Sequence, residues 1–150
     1  MRSVLTIIFL LAFAIPCSAA KLPKDATPMA TDQITNLYAD HTISTKVSDI
    51  FFSKDGKTMG VFGKPKIKSV FSGTWEVKGN EFCMHNSPQG ETKVYTDCNK
   101  FWMSGKKMYN LWSAHYDGSN PDTVGGYDPA PLKLRSGNTV ADKYSANGGK

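Results

Sequence analysis

Short runs of alternating apolar and polar residues, separated by glycine-containing turns, cover most of the chain after residue 40. Such alternation is typical of half-buried β-strands. Asp55-Gly56 and Gly79-Asn80 each stand between two of these runs, and both dipeptides are favoured in tight hairpin turns. For Asp55-Gly56 we expect a type I′ turn. The pattern predicts strands at 50–52, 59–62, 74–77, 81–85, 92–98, 101–103, 107–112, 132–134 and 139–140.

Residues 31–39 have helical rather than strand periodicity. Ile34, Leu37 and Tyr38 recur at positions i, i+3 and i+4, so they share one face of a helix. Thr31 is a suitable N-cap, because its hydroxyl can accept a hydrogen bond from a free backbone N–H of the first turn. The segment therefore predicts one short amphipathic helix near the N-terminus.

Sequential hairpins favour an antiparallel meander of about eight to ten strands. A meander of this size tends to curl, because curling removes exposed strand edges. We expect a mainly β fold, either a small barrel or a strongly curved sheet, with one short N-terminal helix that plugs an end or lies on an open face. The polar, glycine-rich segment 141–150 is expected to fray, with a flexible tail at 146–150.

The N-terminus has the three parts of a secretory signal peptide. Arg2 supplies a positive charge, residues 4–15 are almost wholly apolar, and the small residues Ser18 and Ala20 fit a cleavage site after Ala20. The alternative is an uncleaved anchor, but the apolar stretch is shorter than the roughly 20 residues needed to span a bilayer. We therefore predict a signal peptide at 1–20, a single exported domain at 21–145 in the periplasm or secreted, and no membrane span after cleavage.

Cys17 lies close to the cleavage site, where a cysteine can carry a lipid anchor. Lipoprotein signals place a small residue directly before the modified cysteine, and here that residue is Pro16. We therefore expect Cys17 to leave with the signal peptide.

Cleavage of the signal peptide also removes Arg2, so the formal charge changes from +5 to +4 (5 − 1 = 4). A domain this weakly basic does not predict a nucleic-acid partner.

Two cysteines remain in the predicted domain, and an even number in an oxidising compartment favours a disulfide. If strands 81–85 and 92–98 pair around a loop centred near Gly90-Glu91, Cys83 lies opposite Cys98. Directly opposed residues are close enough for a disulfide. Such a bond would stabilise the domain by about 3 kcal/mol in the chain-entropy model.

Known catalytic and metal-binding motifs are absent from the sequence. No Gly-x-Ser-x-Gly motif surrounds any serine, and no ligand spacing joins the three histidines. The loop that carries Asp117, Asn120, Asp122 and Asp128 could offer oxygen ligands to calcium, but it lacks the closing glutamate of an EF-hand. We expect no catalytic residue, no metal and no cofactor, and the sequence favours a non-enzymatic protein over an enzyme.

An aromatic-rich region near the end of the predicted sheet supplies the candidate contact residues. The connection 115–131 is long for a compact domain, and long loops are often functional. Small β-barrels can hold an apolar ligand at the mouth, whereas the alternative for the aromatic rings is a place in the core. The candidates for contact with a small apolar ligand or an envelope protein are Trp102, Trp112, His115, Tyr116 and Asp117.

A series of short motifs runs along the first two thirds of the chain. They are the segment 31–39, Phe51-Phe52, Asp55-Gly56, Gly73-Thr74-Trp75-Glu76-Val77, Phe82-Cys83-Met84 and Cys98, with Asp117-Gly118 as a weaker match. Together they resemble the proteobacterial domain of unknown function 995, a family with a signal peptide, a Gly-x-Trp strand, a following cysteine strand and a second cysteine. The resemblance implies a Gram-negative periplasmic location and brings no established activity or site residue.

The leading functional hypothesis is an exported, non-enzymatic binding or interaction module. One alternative is a small envelope hydrolase that uses the 115–131 loop. Another is a protein inhibitor of an envelope or host enzyme such as lysozyme. The segment 136–140 has the Ser-Gly of a known inhibitor motif but lacks its tyrosine.

The leader and the disulfide are tested together by intact mass. The protein recovered from the periplasm without reductant is expected to have the mass of a chain that starts at Lys21, lower by two hydrogen masses than the reduced chain. A retained leader, or a lipid on Cys17, would contradict this prediction.

Overall fold

A strongly curled antiparallel sheet forms the body of the protein, in a computed structural model that describes residues 21–118, 128–129 and 133–150. Two short helices accompany it. The elements are β1 (Thr27–Pro28), α1 (Thr31–Tyr38), β2 (His41–Ser44), β3 (Ser48–Phe52), β4 (Lys57–Phe62), β5 (Ser69–Lys78), β6 (Glu81–Pro88), β7 (Tyr95–Ser104), β8 (Lys107–Ala114), β9 (Asp128–Pro129), β10 (Leu134–Ser136) and α2 (Ala141–Ala146).

The strands follow the order β10-β2-β3-β4-β5-β6-β7-β8-β9, and each neighbouring pair is antiparallel. β1 pairs with Trp102 and Met103 in the second half of β7, beyond the part of β7 that pairs with β6. Within the described residues, β10 and β9 are the two ends of this path, so the sheet is a half-barrel. The predicted mainly β, antiparallel meander is confirmed.

The hairpin at Asp55-Gly56 is confirmed, but its predicted turn type is wrong. A type I′ turn needs a positive φ at both central residues, and here only Gly56 (φ 81°) has one. The Ser53 N–H donates to Lys57 O, which closes a longer loop with glycine in the left-handed position. The turn is also tied to β5, because the Trp75 indole N–H donates to Ser53 O at 2.8 Å.

Helix α1 lies on the concave face of the half-barrel and fills one part of it. The Tyr38 ring stacks on Phe82 with 4.0 Å between centroids, and it meets Phe52 edge-on at 5.1 Å. Aromatic pairs in such geometries contribute beyond their buried area. The core cluster consists of Met29, Ile34, Tyr38, Ile50, Phe52, Trp75, Phe82 and Phe101.

The predicted N-terminal helix is confirmed, but Thr31 is not its cap. The N-cap is Ala30, and the Gln33 side chain accepts a hydrogen bond from the Ala30 N–H at 2.9 Å. The Thr31 hydroxyl instead donates to Gly79 O at 3.0 Å. It therefore fixes the helix to the β5–β6 hairpin, a contact that local sequence rules cannot foresee.

A second helix, α2, corrects two predictions: that the protein has one helix, and that the chain frays from residue 141. Residues 139–140, predicted as a strand, instead lead into this helix. Val140 is fully buried and Tyr144 is 6% exposed, because both pack on the convex face of the sheet against Val61 and Val70. A six-residue helix is too short to be stable alone, so this packing must hold it.

Cys83 and Cys98 are opposite one another on β6 and β7 and form a disulfide, as predicted. Their Cα atoms are 4.1 Å apart.

Neither α1 nor α2 is long and apolar enough to cross a membrane.

Asp49 joins the C-terminal helix to the sheet. Its carboxylate is 3% exposed and accepts from Lys64 Nζ on the β4–β5 loop and Lys143 Nζ on α2, each at 2.8 Å. Burial alone would raise the pKa of Asp49, but the hydrogen bonds from Lys143, Lys64 and Ser44 outweigh burial and lower the pKa to about 2.

Asp49→Asn is expected to lower the free energy of unfolding at pH 7 by about 1–2 kcal/mol, with Lys143 half-exposed and therefore partly screened. Because the folded-state pKa is depressed, this stabilisation is present above about pH 4 and is lost as the pH falls toward 2. Urea unfolding between pH 2 and 7 measures it. The control is Asp142→Asn, which removes an exposed carboxylate from α2, the helix that carries Lys143. Equal losses of stability in both variants would contradict the prediction.

Candidate functional site

The concave face carries polar side chains in addition to the apolar ones that pack against helix α1. Residues opposite one another in an antiparallel pair share a face. Asp97 lies opposite Met84, and Asn99 lies opposite Phe82. Because Phe82 and Met84 both belong to the core packing, Asp97 and Asn99 also point into the concavity. Half-buried polar residues of this face are Asn86, Asp97, Asn99 and Asn110.

A glycine lets these polar groups connect across a strand. Thr58, Gly73 and Asn86 are level with one another on β4, β5 and β6. A Cβ at Gly73 would lie 2.7 Å from the Asn86 Oδ1 atom and even closer to the His85 carbonyl oxygen. Since this space is free, the Asn86 side chain crosses β5 and accepts a hydrogen bond from the Thr58 hydroxyl.

Five residues lie close together where the end of β8 meets the first half of β7. We call them the rim cluster: Asp97, Trp112, His115, Tyr116 and Asp117. The His115 ring lies 4.1 Å from Trp112 and 4.4 Å from Tyr116, between ring centroids. His115 Nδ1 is 2.8 Å from Asp117 Oδ1. The Tyr116 backbone N–H donates to Asp97 Oδ1 at 3.1 Å, so the chain after β8 folds back over β7.

A β-bulge positions this cluster. Ala114 pairs with Cys98 and Trp112 with Asn99, which leaves Ser113 as an extra residue on β8. A bulge bends the strand that contains it and redirects the following side chains. Here the Ser113 hydroxyl is held by Glu81, while Trp112 remains on the concave side beside Asn99.

The cluster combines exposed aromatic surface with a partly desolvated carboxylate. Trp112 is 36% exposed and Tyr116 is 54% exposed, whereas the His115 side chain is only 10% exposed. Burial raises the pKa of Asp97, and the Tyr116 N–H and the nearby His115 only partly offset this, while Asp117 adds to it. Groups with such perturbed pKa values are concentrated at functional sites.

Four of the five predicted contact residues are therefore neighbours in the structure. Trp102 is not among them. It lies near the far end of β7, opposite Pro28 of β1, on the side of the strand away from the core residue Phe101. Asp97 was missed by the sequence analysis; its one available signal was its place beside the predicted disulfide cysteine Cys98.

The other residues considered as metal ligands, the remaining histidines and the acidic loop, are not gathered at one site within the described residues. His85 contacts Thr96 and Glu76 on the convex face, and His41 contacts the Ala39 carbonyl oxygen. In the part of the chain that the structure describes, no group of three or more His, Cys, Asp or Glu side chains could hold a metal ion. Of the suggested calcium loop, Asn120 and Asp122 lie outside the described residues.

A cleft of about 300 Å³ opens on the convex side, away from the rim cluster. It is bounded by the β6–β7 turn and the C-terminus of the chain, and none of the predicted contact residues reaches it. Its lining includes Ser72, Ser87, Gln89, Glu91, Tyr144 and Lys150.

The chain belongs to the DUF995 family. The family model, described as "Protein of unknown function (DUF995)", matches residues 6–118, which is more than half of the 150 residues. This confirms the resemblance noted from the sequence. The rim cluster lies within the matched region, whereas β10 and α2 lie beyond it. No curated protein and no solved structure matches the chain.

Asp97→Asn is expected to leave the protein at least as stable at pH 7 as the wild type. Because the folded-state pKa of Asp97 is raised, folding favours the protonated form, and the stability that this contributes is lost as the pH rises through the folded-state pKa. Asparagine removes the charge and retains the oxygen that accepts from the Tyr116 N–H. Chemical unfolding at pH 4 and 7 tests this, with Asp117→Asn as the exposed control; a clear loss of stability at pH 7 in Asp97→Asn alone would show a structural carboxylate instead.

Proposed function

We propose that this DUF995 protein is an exported, non-enzymatic binding module of the bacterial envelope that holds a small ligand at the open end of its concave face. The observation that carries the proposal is the rim cluster. Trp112 and Tyr116 keep exposed ring surface close to the polar side chains of Asp97 and Asn99. Tryptophan and tyrosine supply much of the contact energy in binding sites, because they offer large apolar faces at low entropic cost.

The chemistry of the site favours a ligand with one apolar face and polar edges. The rings of Trp112 and Tyr116 would contact the apolar face. The carboxylate of Asp97 and the amides of Asn99 and Asn110 would meet the polar edges; the two amides are already hydrogen-bonded to each other at 3.0 Å. A few fixed polar groups on an apolar wall are the usual means of orienting a small ligand.

Export is supported by two independent features. The N-terminal leader pattern predicts secretion, and the Cys83–Cys98 disulfide is of the kind that persists in oxidising compartments. We therefore propose that the protein acts in the periplasm or after secretion.

A small envelope hydrolase is the alternative that one contact favours. The carboxylate of Asp117 at His115 Nδ1 resembles the orienting partner of a general base. A nucleophile is the missing part: no described serine, threonine or cysteine side chain is hydrogen-bonded to His115, and Cys83 and Cys98 are joined in the disulfide.

Binding is tested with Nile red, a neutral apolar dye whose fluorescence increases in an apolar site. We expect saturable binding that weakens by about tenfold in Trp112→Ser, because this variant removes the larger exposed ring. The matched control is Trp102→Ser at the far end of β7, which should bind as the wild type does. Both variants are first compared with the wild type by thermal unfolding.

Equal dye binding by the wild type and Trp112→Ser would contradict the proposed site. A screen of ester and glycoside substrates separates the alternative, because a hydrolase would show turnover that is lost in His115→Ala.

A further inference from the structure

Two loops at one end of the sheet form a single continuous surface. They are the β2–β3 turn at residues 45–47 and the β4–β5 loop at residues 63–68. The backbone N–H groups of Gly63 and Lys64 both donate to Val47 O, at 2.7 and 3.2 Å, and Lys64 Nζ donates to Thr45 O at 3.0 Å. Because these bonds join the loops, the two loop backbones have fixed relative positions. We call this surface, with the adjoining Phe62 at the end of β4, the lysine-rich end.

The lysine-rich end presents unpaired positive charge. Lys46, Lys66 and Lys68 are exposed, and none of them has a carboxylate partner among the described residues. The carboxylate within reach of this surface, Asp49, is buried and is already engaged by Lys64 and Lys143. The charges of Lys46, Lys66 and Lys68 are therefore not balanced by an ion pair within the described residues.

Exposed apolar side chains stand among these lysines. Val47 is 48% exposed and Phe62 is 47% exposed, and their backbones are adjacent because the Val47 carbonyl oxygen accepts from the N–H of Gly63, the residue after Phe62. Val94, 58% exposed, lies on the β6–β7 loop, which leaves the sheet at the same end of the strands, with Lys93 beside it. Three of the large apolar residues that the described chain leaves exposed are thus at this end, on or next to loops that carry lysines.

We propose that the lysine-rich end is a docking surface for an anionic phospholipid bilayer. Val47 and Phe62 enter the boundary between headgroups and acyl chains, while Lys46, Lys66 and Lys68 contact the headgroup phosphates. Charge complementarity alone would also suit a soluble polyanion. A polyanion, however, gives no reason for apolar side chains to be exposed between the lysines, and a bilayer accommodates both.

The test is co-sedimentation of the exported, processed protein with vesicles. One set contains phosphatidylglycerol mixed with phosphatidylcholine, and the other contains phosphatidylcholine alone. We expect binding to the first set only, and release as the salt concentration is raised, because screening weakens the lysine contacts.

Two variants separate the contributions. Lys66→Ser combined with Lys68→Ser, and separately Phe62→Ser, should each lower the partition coefficient by about tenfold. The matched control removes two charges from the opposite end of the sheet, Lys106→Ser in the β7–β8 turn with Lys107→Ser at the start of β8, and should bind as the wild type does. All of these side chains are substantially exposed, so the variants are expected to fold.

Three results would overturn the proposal. The first is equal binding to the two vesicle sets or to neither. The second is an equal loss of binding in the control and in the Lys66 and Lys68 double variant. The third is binding that a soluble polyanion such as heparin matches and that Phe62→Ser leaves unchanged, which would identify a polyanion site. None of these measurements involves the rim cluster, so they stand or fall independently of the proposed ligand site.

Discussion

The packing of Tyr38 into the curl of the sheet is the contact on which the rest of the structure depends. Its ring is stacked on Phe82 and is surrounded by Phe52, Trp75 and Phe101, so one side chain joins α1 to four strands. The helix has eight residues and is therefore about 12 Å long. The longest strands have ten residues and extend about 33 Å. One such helix is too short to span the full length of these strands, and Asn86, Asp97, Asn99 and Asn110 lie on the same face of the sheet.

The convex face is organised by a different kind of contact. There the second helix is attached through buried apolar side chains and through the carboxylate of Asp49, which holds one lysine from α2 and one from the β4–β5 loop. Because the same ion pair restrains Lys64, it also fixes the loop that carries Lys66 and Lys68. The Asp49 ion pairs on the convex face thus also hold the β4–β5 loop of the lysine-rich end in position.

The sequence was sufficient wherever the determining interactions are local. Glycine-containing turns placed the hairpins, and the hairpin register placed Cys83 opposite Cys98. The helix around Ile34 and Tyr38 was visible because its apolar face repeats within one turn. Helix α2 was not visible, since Val140 and Tyr144 are stabilised by Val61 and Val70, which are distant in the chain.

The candidate site was predictable to the same degree. Trp112, His115, Tyr116 and Asp117 are close in sequence, so their proximity could be anticipated, whereas Asp97 joins them only through the pairing of β7 with β8 and the bulge at Ser113. Trp102 was grouped with them because it is aromatic and lies near a predicted turn. Alternation along β7 places it on the face opposite to Phe101, and no local rule gives that assignment without knowing which neighbour is buried.

The topology relates the two proposed surfaces to each other. In an antiparallel meander every second connection emerges at the same end, so the β2–β3, β4–β5 and β6–β7 loops and the end of β8 all lie at one end of the strands. Docking through Val47 and Phe62 would turn that end toward the bilayer, with the rim cluster on the same side of the molecule. A ligand with an apolar face is most concentrated at such a boundary, and an exposed tryptophan is most stable there. The two proposals, which rest on separate residues, therefore require the same orientation of the protein.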